Sequence, residues 1–123
     1  MRTALAVAAG AALGAPARFL LDEAVQRRAG GTFPWGTAVV NVLGCLLLGL
    51  VVGATDAARP SSALAEILGV GFCGTFTTFS TFGDDTVRLV DEGASGLAAL
   101  NVICSLVLGV TAAVLGISLA TAA

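Results

Sequence analysis

Apolar residues run along this chain in four long blocks separated by short clusters of charge and turn residues. The first block, residues 3–21, is interrupted by charge only at Arg18, and the second, residues 35–54, carries no charge over its 20 positions. At 1.5 Å per residue that second block makes about 30 Å of helix, one hydrocarbon thickness. A third block covers residues 67–83 and a fourth runs from about residue 96 to the end. The pattern predicts four transmembrane helices, over approximately 3–26, 35–55, 63–90 and 95–121, in one all-α integral membrane domain spanning residues 1–123. Between them, residues 29–34 form a Gly/Pro loop followed by Trp35, an indole suited to the membrane interface. Residues 56–62, with Arg59-Pro60, read as a second connector, and the charged stretch 84–95 as a third. A cleaved leader, with 15–17 as its cleavage site, would also fit the start. Three further spans follow at once, so a first transmembrane helix is the more economical reading. Pro16 is tolerable there because neighbouring helices satisfy the carbonyl it frees.

Composition sharpens this picture. Charged residues make up 11% of the chain, and the mean hydropathy is +0.98, whereas a soluble domain carries about 25% charge. Histidine and tyrosine are absent, which excludes histidine-based general bases and metal clusters. No nucleophile and base stand in a catalytic pattern and no nucleotide motif occurs, so the chain is not expected to be an enzyme, and any ion flow through it must be passive. Cys45, Cys73 and Cys104 each fall inside a span at spacings that suit neither zinc nor a disulfide framework, and they read as small packing residues. Gly44, Gly49 and Gly53 make a smooth stripe along the second helix on which another helix can approach closely.

Arginine is the only basic residue type. Arg2 and Arg59 fall on one side of the predicted membrane and Arg27, Arg28 and Arg88 on the other. Orientation follows an excess of basic residues on the inner side. Two against three is almost no instruction, and insertion both ways up is expected.

Polar groups inside a bilayer are costly and mark protein interiors or aqueous paths. The second span carries Thr37 and Asn41; the fourth carries Asn101, Ser105 and Thr111. Asn41 suits either a bond between helices or the lining of a pore, whereas a lone hydroxyl is ordinarily satisfied by its own helix. The third span is unusual, with five hydroxyl residues and four phenylalanines in positions 71–83. Small and β-branched residues make it a weak helix, and a break is expected between Gly74 and Thr78. Irregular backbone at that depth is tolerated where it is buried or lines a cavity, and its freed carbonyls can coordinate a cation. Phe76, Phe79 and Phe82 follow at three-residue steps and are expected on roughly one face. Such a stripe is ordinarily packing.

The segment Gly74-Thr75-Phe76-Thr77-Thr78-Phe79-Ser80-Thr81-Phe82 closely resembles the broken-helix signature of the Fluc/CrcB family of fluoride channels. Gly14 through Arg18-Phe19 resembles the family's first-helix Gly-x-x-x-Arg-aromatic motif, and Gly36-Thr37-x-x-Val40-Asn41-x-x-Gly44 its second-helix motif. The resemblance covers the whole chain. Thr75 stands where a second glycine is common, Cys45 where serine is frequent and Asp85 where glutamate is frequent.

The resemblance implies a passive channel that exports cytoplasmic fluoride and relieves its toxicity, in the plasma (inner) membrane of a prokaryote, with membrane lipid around it and no nucleic-acid partner. It implies an antiparallel, dual-topology homodimer, or a pair with a sister subunit, with two pores at the interface and a central structural sodium ion. Asn41 would donate its amide to the ion, and Phe79 and Phe82 would be the pore phenylalanines. Ser80 and Thr81 would belong to a polar track with a fourth-helix hydroxyl, Ser105. The backbone carbonyls of Gly74 and Thr77 would ligate sodium, and Arg18 and Asp85 would sit at the vestibule. Small four-helix exporters of cationic drugs have a similar length, but their proton coupling needs a membrane-embedded carboxylate that none of the four apolar blocks supplies. A structural subunit without transport would give no fluoride-dependent phenotype.

Overall fold

The computed structural model describes residues 1–58 and 63–122, and their regular structure is helical. Helix α1 spans Arg2–Ala29 and α2 spans Trp35–Ala58. Helix α3, residues 63–76, is assembled from Ala63–Ala65, a π-helical stretch Glu66–Cys73 and Gly74–Phe76; α4 is Phe79–Asp91 and α5 is Ser95–Ala122. Taken with α3 and α4 as one span, Ala63–Asp91, four helices are long and apolar enough to cross a membrane. Arg59 and the rest of the expected second connector after Ala58 lie outside the described residues. The third connector is far shorter than the charge pattern suggests, because residues 84–91 are helical and only 92–94 link α4 to α5. Its charges pair along the helix surface, with Arg88 3.5 Å from both Asp85 and Glu92. Gly93, at φ 79°, ends this helix, and its N–H and that of Ala94 bond back to Val90 and Leu89 as in a Schellman turn.

Few side chains are buried within the single chain. Val40 and Leu89 are wholly enclosed, and Cys73 and Phe76 nearly so, whereas Leu5, Leu13, Phe19, Ile103, Leu106 and Val110 are all more than half exposed. Large apolar surface of this extent belongs against lipid or another subunit. The interior is built instead from backbone brought close to backbone. A Cβ at Gly10 of α1 would lie 2.8 Å from the Phe72 nitrogen and 2.9 Å from the Gly71 Cα of α3. The same holds where α2 crosses α5: a Cβ at Gly116 would lie 2.8 Å from the Leu50 nitrogen and 3.0 Å from the Gly49 carbonyl carbon. Helices that gain nothing from hydrophobic exclusion within lipid associate through such close van der Waals contact. The glycine stripe of α2 accordingly meets α5 at Gly49 and Gly53, with Gly44 facing Thr77.

Gly10→Val is therefore expected to destabilise the fold by at least about 1–3 kcal/mol, the ordinary cost of overpacking, because backbone atoms cannot move aside as a side-chain tip can. Gly96→Ala, where a Cβ meets nothing within 4 Å, should leave the fold intact. Thermal melting and the yield of monodisperse protein in detergent check the contrast.

The α1–α2 turn is tied by Gln26, whose amide donates to the Phe33 carbonyl at 3.1 Å and accepts from the Gly36 N–H at 3.2 Å. At that same end Arg88 reaches the Thr32 carbonyl at 3.3 Å, placing Arg88 beside the turn that follows Arg27 and Arg28. Arg2 lines a depression with Ala63 and Glu66 where α3 begins.

Candidate functional site

The site begins where helical winding stops. Thr77 (φ −76°, ψ 153°) and Thr78 (φ −142°, ψ 123°) are extended, and α4 starts afresh at Phe79. Thr78 caps the new helix, its hydroxyl accepting from the Thr81 N–H at 3.2 Å, the usual work of an N-cap threonine. Gly74, Thr75 and Phe76 still belong to the helix before the interruption, so only the last part of the interval expected to break does so. Thr75 returns its hydroxyl to the carbonyl of Gly71 at 2.8 Å.

Asn41 holds the interruption from α2. Its Nδ2 donates to the Thr78 carbonyl at 3.0 Å, and its Oδ1 accepts from the Thr78 N–H at 2.8 Å. One primary amide thus satisfies both backbone groups of a residue that has left the helix. An asparagine amide carries two hydrogens, and one Nδ2 bond of Asn41 is made among the described residues, which leaves the second hydrogen to the groove. This clamp has a consequence upstream. In a continuous helix the Thr78 N–H would bond the Gly74 carbonyl and the Thr81 N–H the Thr77 carbonyl; here both amides are taken by side-chain oxygens. Two carbonyls thereby lose their helical donors, and a Cβ at Gly74 meets nothing within 4 Å.

Beside the clamp lies a groove of about 300 Å³ lined by Asn41, Cys45, Leu48, Thr77, Thr78, Phe79, Phe82, Ser105 and Leu106. It opens to the outside of the chain, and Phe79 on its rim is 86% exposed. The Phe79 and Phe82 rings are 6.0 Å apart and tilted by 44°. Ser105 presents a buried Oγ with no hydrogen-bond partner among the described residues. The groove's polar atoms are hydroxyl and amide groups, and no ionised side chain lines it.

Of the residues expected at a site, the structure brings Asn41, Phe79, Phe82 and Ser105 to this groove. Thr81 joins it indirectly, accepting from Thr78 Oγ1 at 3.0 Å, and Ser80 lies 3.4 Å from the same oxygen on the exposed side. Phe76 does not share a face with Phe79 and Phe82. It is buried and stacks on Phe72 with centroids 5.4 Å apart, because the two extended residues between Phe76 and Phe79 destroy the three-residue step. Thr78 is a central residue that sequence reasoning missed; its only signal was membership of the Thr-rich segment.

Arg18 and Asp85 lie elsewhere. Arg18 is half-buried on α1, its Nε buried without a partner among the described residues. Asp85, on α4, accepts from the hydroxyl of the buried Thr37 at 2.8 Å. No group of three or more Cys, Asp or Glu side chains among the described residues is placed to hold a metal.

These features define a multi-pass helical membrane protein with a clamped helix interruption and, beside it, an uncharged, mainly apolar groove that carries a few amide and hydroxyl groups. The chain belongs to the CrcB family: the family described as "CrcB-like protein, Camphor Resistance (CrcB)" matches residues 5–117. It is 48% identical over 118 residues to the fluoride-specific ion channel FluC 1 of Streptomyces avermitilis, with 96% of this chain and 95% of that one covered. It is 50% identical over 123 residues to FluC 1 of Frankia casuarinae, with the same coverage. The fluoride-specific ion channel FluC of Geobacter sulfurreducens is 45% identical, with 88% of each chain covered.

Proposed function

We propose that this protein is a passive fluoride channel whose ion path follows the groove beside the Asn41–Thr78 clamp. The observation that carries the reading is the groove's chemistry: a free amide hydrogen on Asn41, an unpartnered hydroxyl on Ser105 and two phenylalanine rings converge, with no fixed charge among them. Fluoride is small and holds its water tightly, so a path must offer close donors in exchange. Amide and hydroxyl groups do this, and the positive edges of aromatic rings add attraction without a full charge. Conduction requires binding favourable enough for entry and weak enough for exit, and a lining of neutral donors meets both demands. Ser80 and Thr81 continue the polar surface from Thr78 along α4. Arg18 and Asp85 serve the approach to the path, Arg18 drawing anions and Asp85 being held by Thr37 and Arg88.

The functional unit in this reading is an antiparallel dimer of identical chains, or of this chain with a sister subunit, with two paths at the interface. The open side of the groove, the exposed Phe79 and the near balance of arginines between the two ends support it. The carbonyls of Gly74 and Thr77 would hold a central sodium ion. Their loss of helical donors and the open space at Gly74 fit that role, and oxygen is the donor a hard cation takes. Bound there, sodium would neutralise carbonyl charge and stabilise the meeting of two interrupted helices. The protein would lie in the plasma membrane of a prokaryote, surrounded by lipid, where it lets accumulated fluoride leave.

Ring chemistry can be separated from packing. Phe79→Ile and Phe82→Ile keep roughly similar bulk but remove the quadrupole, and each should slow fluoride efflux by roughly tenfold, the equivalent of about 1.4 kcal/mol in the barrier. Phe72→Ile, whose ring stacks on the buried Phe76, should slow it far less at equal dimer fraction. Efflux from liposomes measured with a fluoride electrode decides it, and equal losses at Phe72 would remove the rings from the ion path.

A further inference from the structure

The groove gives no role to the most deeply buried polar side chain in the described residues. Asn101, 1% exposed, stands on α5 one turn before Ser105. Its Nδ2 donates to Thr86 Oγ1 at 3.0 Å, and Thr86 Oγ1 in turn donates to the carbonyl of Phe82 at 2.8 Å. Its Oδ1 is buried and has no partner among the described residues. A buried acceptor without a donor costs more than one neutral hydrogen bond returns, whereas an apolar side chain of the same shape is close to neutral. Stability therefore does not account for an amide at this position.

Its connections suggest another task. Helix α4 is short, begins at an interruption and bears both groove phenylalanines. Asn41 fixes its start through Thr78, but a helix held at one end can still turn about its axis. Thr37 of α2 grips Asp85, a half-buried group shared with Arg88, and Asn101 of α5 grips the next residue, Thr86. Adjacent positions on a helix point about 100° apart, so grips from two different helices resist rotation in both directions. Of the two grips, the one from Asn101 ends on a hydroxyl joined directly to the backbone of the residue carrying the Phe82 ring.

We propose that Asn101 is a positioning residue: acting through Thr86, it sets the rotation of α4 and so the face that Phe82 presents to the groove. The proposal rests on the reading of the groove as an ion path, but ring presentation can be measured without ion flow. The full-length protein is prepared with 4-trifluoromethylphenylalanine at position 82 and its fluorine NMR spectrum recorded in lipid nanodiscs, with fluoride efflux and dimer fraction measured on parallel samples. The native background should give one sharp line. Asn101→Leu and Thr86→Val should each split or broaden that line and slow efflux by roughly tenfold at native dimer fraction, and the double variant should be no worse than either single. Thr86→Ser, which keeps the hydroxyl, should restore both line and efflux. A native line in Asn101→Leu and Thr86→Val, or broadening that Thr86→Ser shares, would overturn the role of Asn101. If Asn101→Leu does not assemble, the Thr86 pair makes the same comparison. A native protein that moves no fluoride would refute the channel reading instead, with the spectra still reporting on α4.

Discussion

Asn41→Asp should nearly abolish fluoride flux while leaving the dimer assembled. The substitution keeps the size of the side chain and one half of the clamp, since a carboxylate oxygen can still accept from the Thr78 N–H now bonded at 2.8 Å. The other half is reversed. Where Nδ2 donates to the Thr78 carbonyl at 3.0 Å, an ionised oxygen would face an oxygen, and the donor offered to the groove would become a negative charge. Losing one hydrogen bond to a charged partner is worth about 1.5–3 kcal/mol, so a fall of roughly tenfold to a hundredfold follows from the lost donor alone. Repulsion of the anion deepens it. Asn41→Ser, which retains a donor but cannot span both groups of Thr78, should fall between the two. Single-turnover efflux with size-exclusion profiles checks the series, and normal flux through an assembled Asn41→Asp protein would assign Asn41 to packing.

Orientation carries the second large effect. If the active unit is antiparallel, a population forced into one orientation has no partner. Two lysines introduced beside Arg59 should supply the excess of positive charge that fixes topology. Reporter fusions at the C-terminus should then read one side only, whereas the unaltered chain reads both. The biased chain alone should lose essentially all fluoride flux and regain it when produced with a copy biased the other way. An unaltered chain found in a single orientation, and active with no second subunit, would be incompatible with the antiparallel arrangement.

What could be read in advance follows from the range of the forces concerned. Four spans were legible because lipid imposes a long apolar run on any helix that crosses it, and the packing role of Gly49 and Gly53 because spacing alone aligns them. The reading of 84–95 as a connector overlapped the end of the span expected over 63–90, since charges mark a connector and an outward helix face alike, and the Asp85–Arg88–Glu92 pairing on a helix separates them. The grouping of Phe76 with Phe79 and Phe82 failed for a local reason. A three-residue step holds only while the helix continues, and Thr77 and Thr78 leave it. The partners of Asn41, 37 residues away, and of Asn101, 15 residues away, depend on how helices dock. Sequence marks such amides as costly inside a membrane but not what each one holds.

The most direct measurement is ion efflux from liposomes containing the purified chain alone, with fluoride and chloride loaded together and followed by separate electrodes. Fluoride should leave rapidly and passively while chloride stays inside until detergent is added. Chloride leaving at a comparable rate, or no fluoride leaving from vesicles shown to hold assembled protein, would contradict the account.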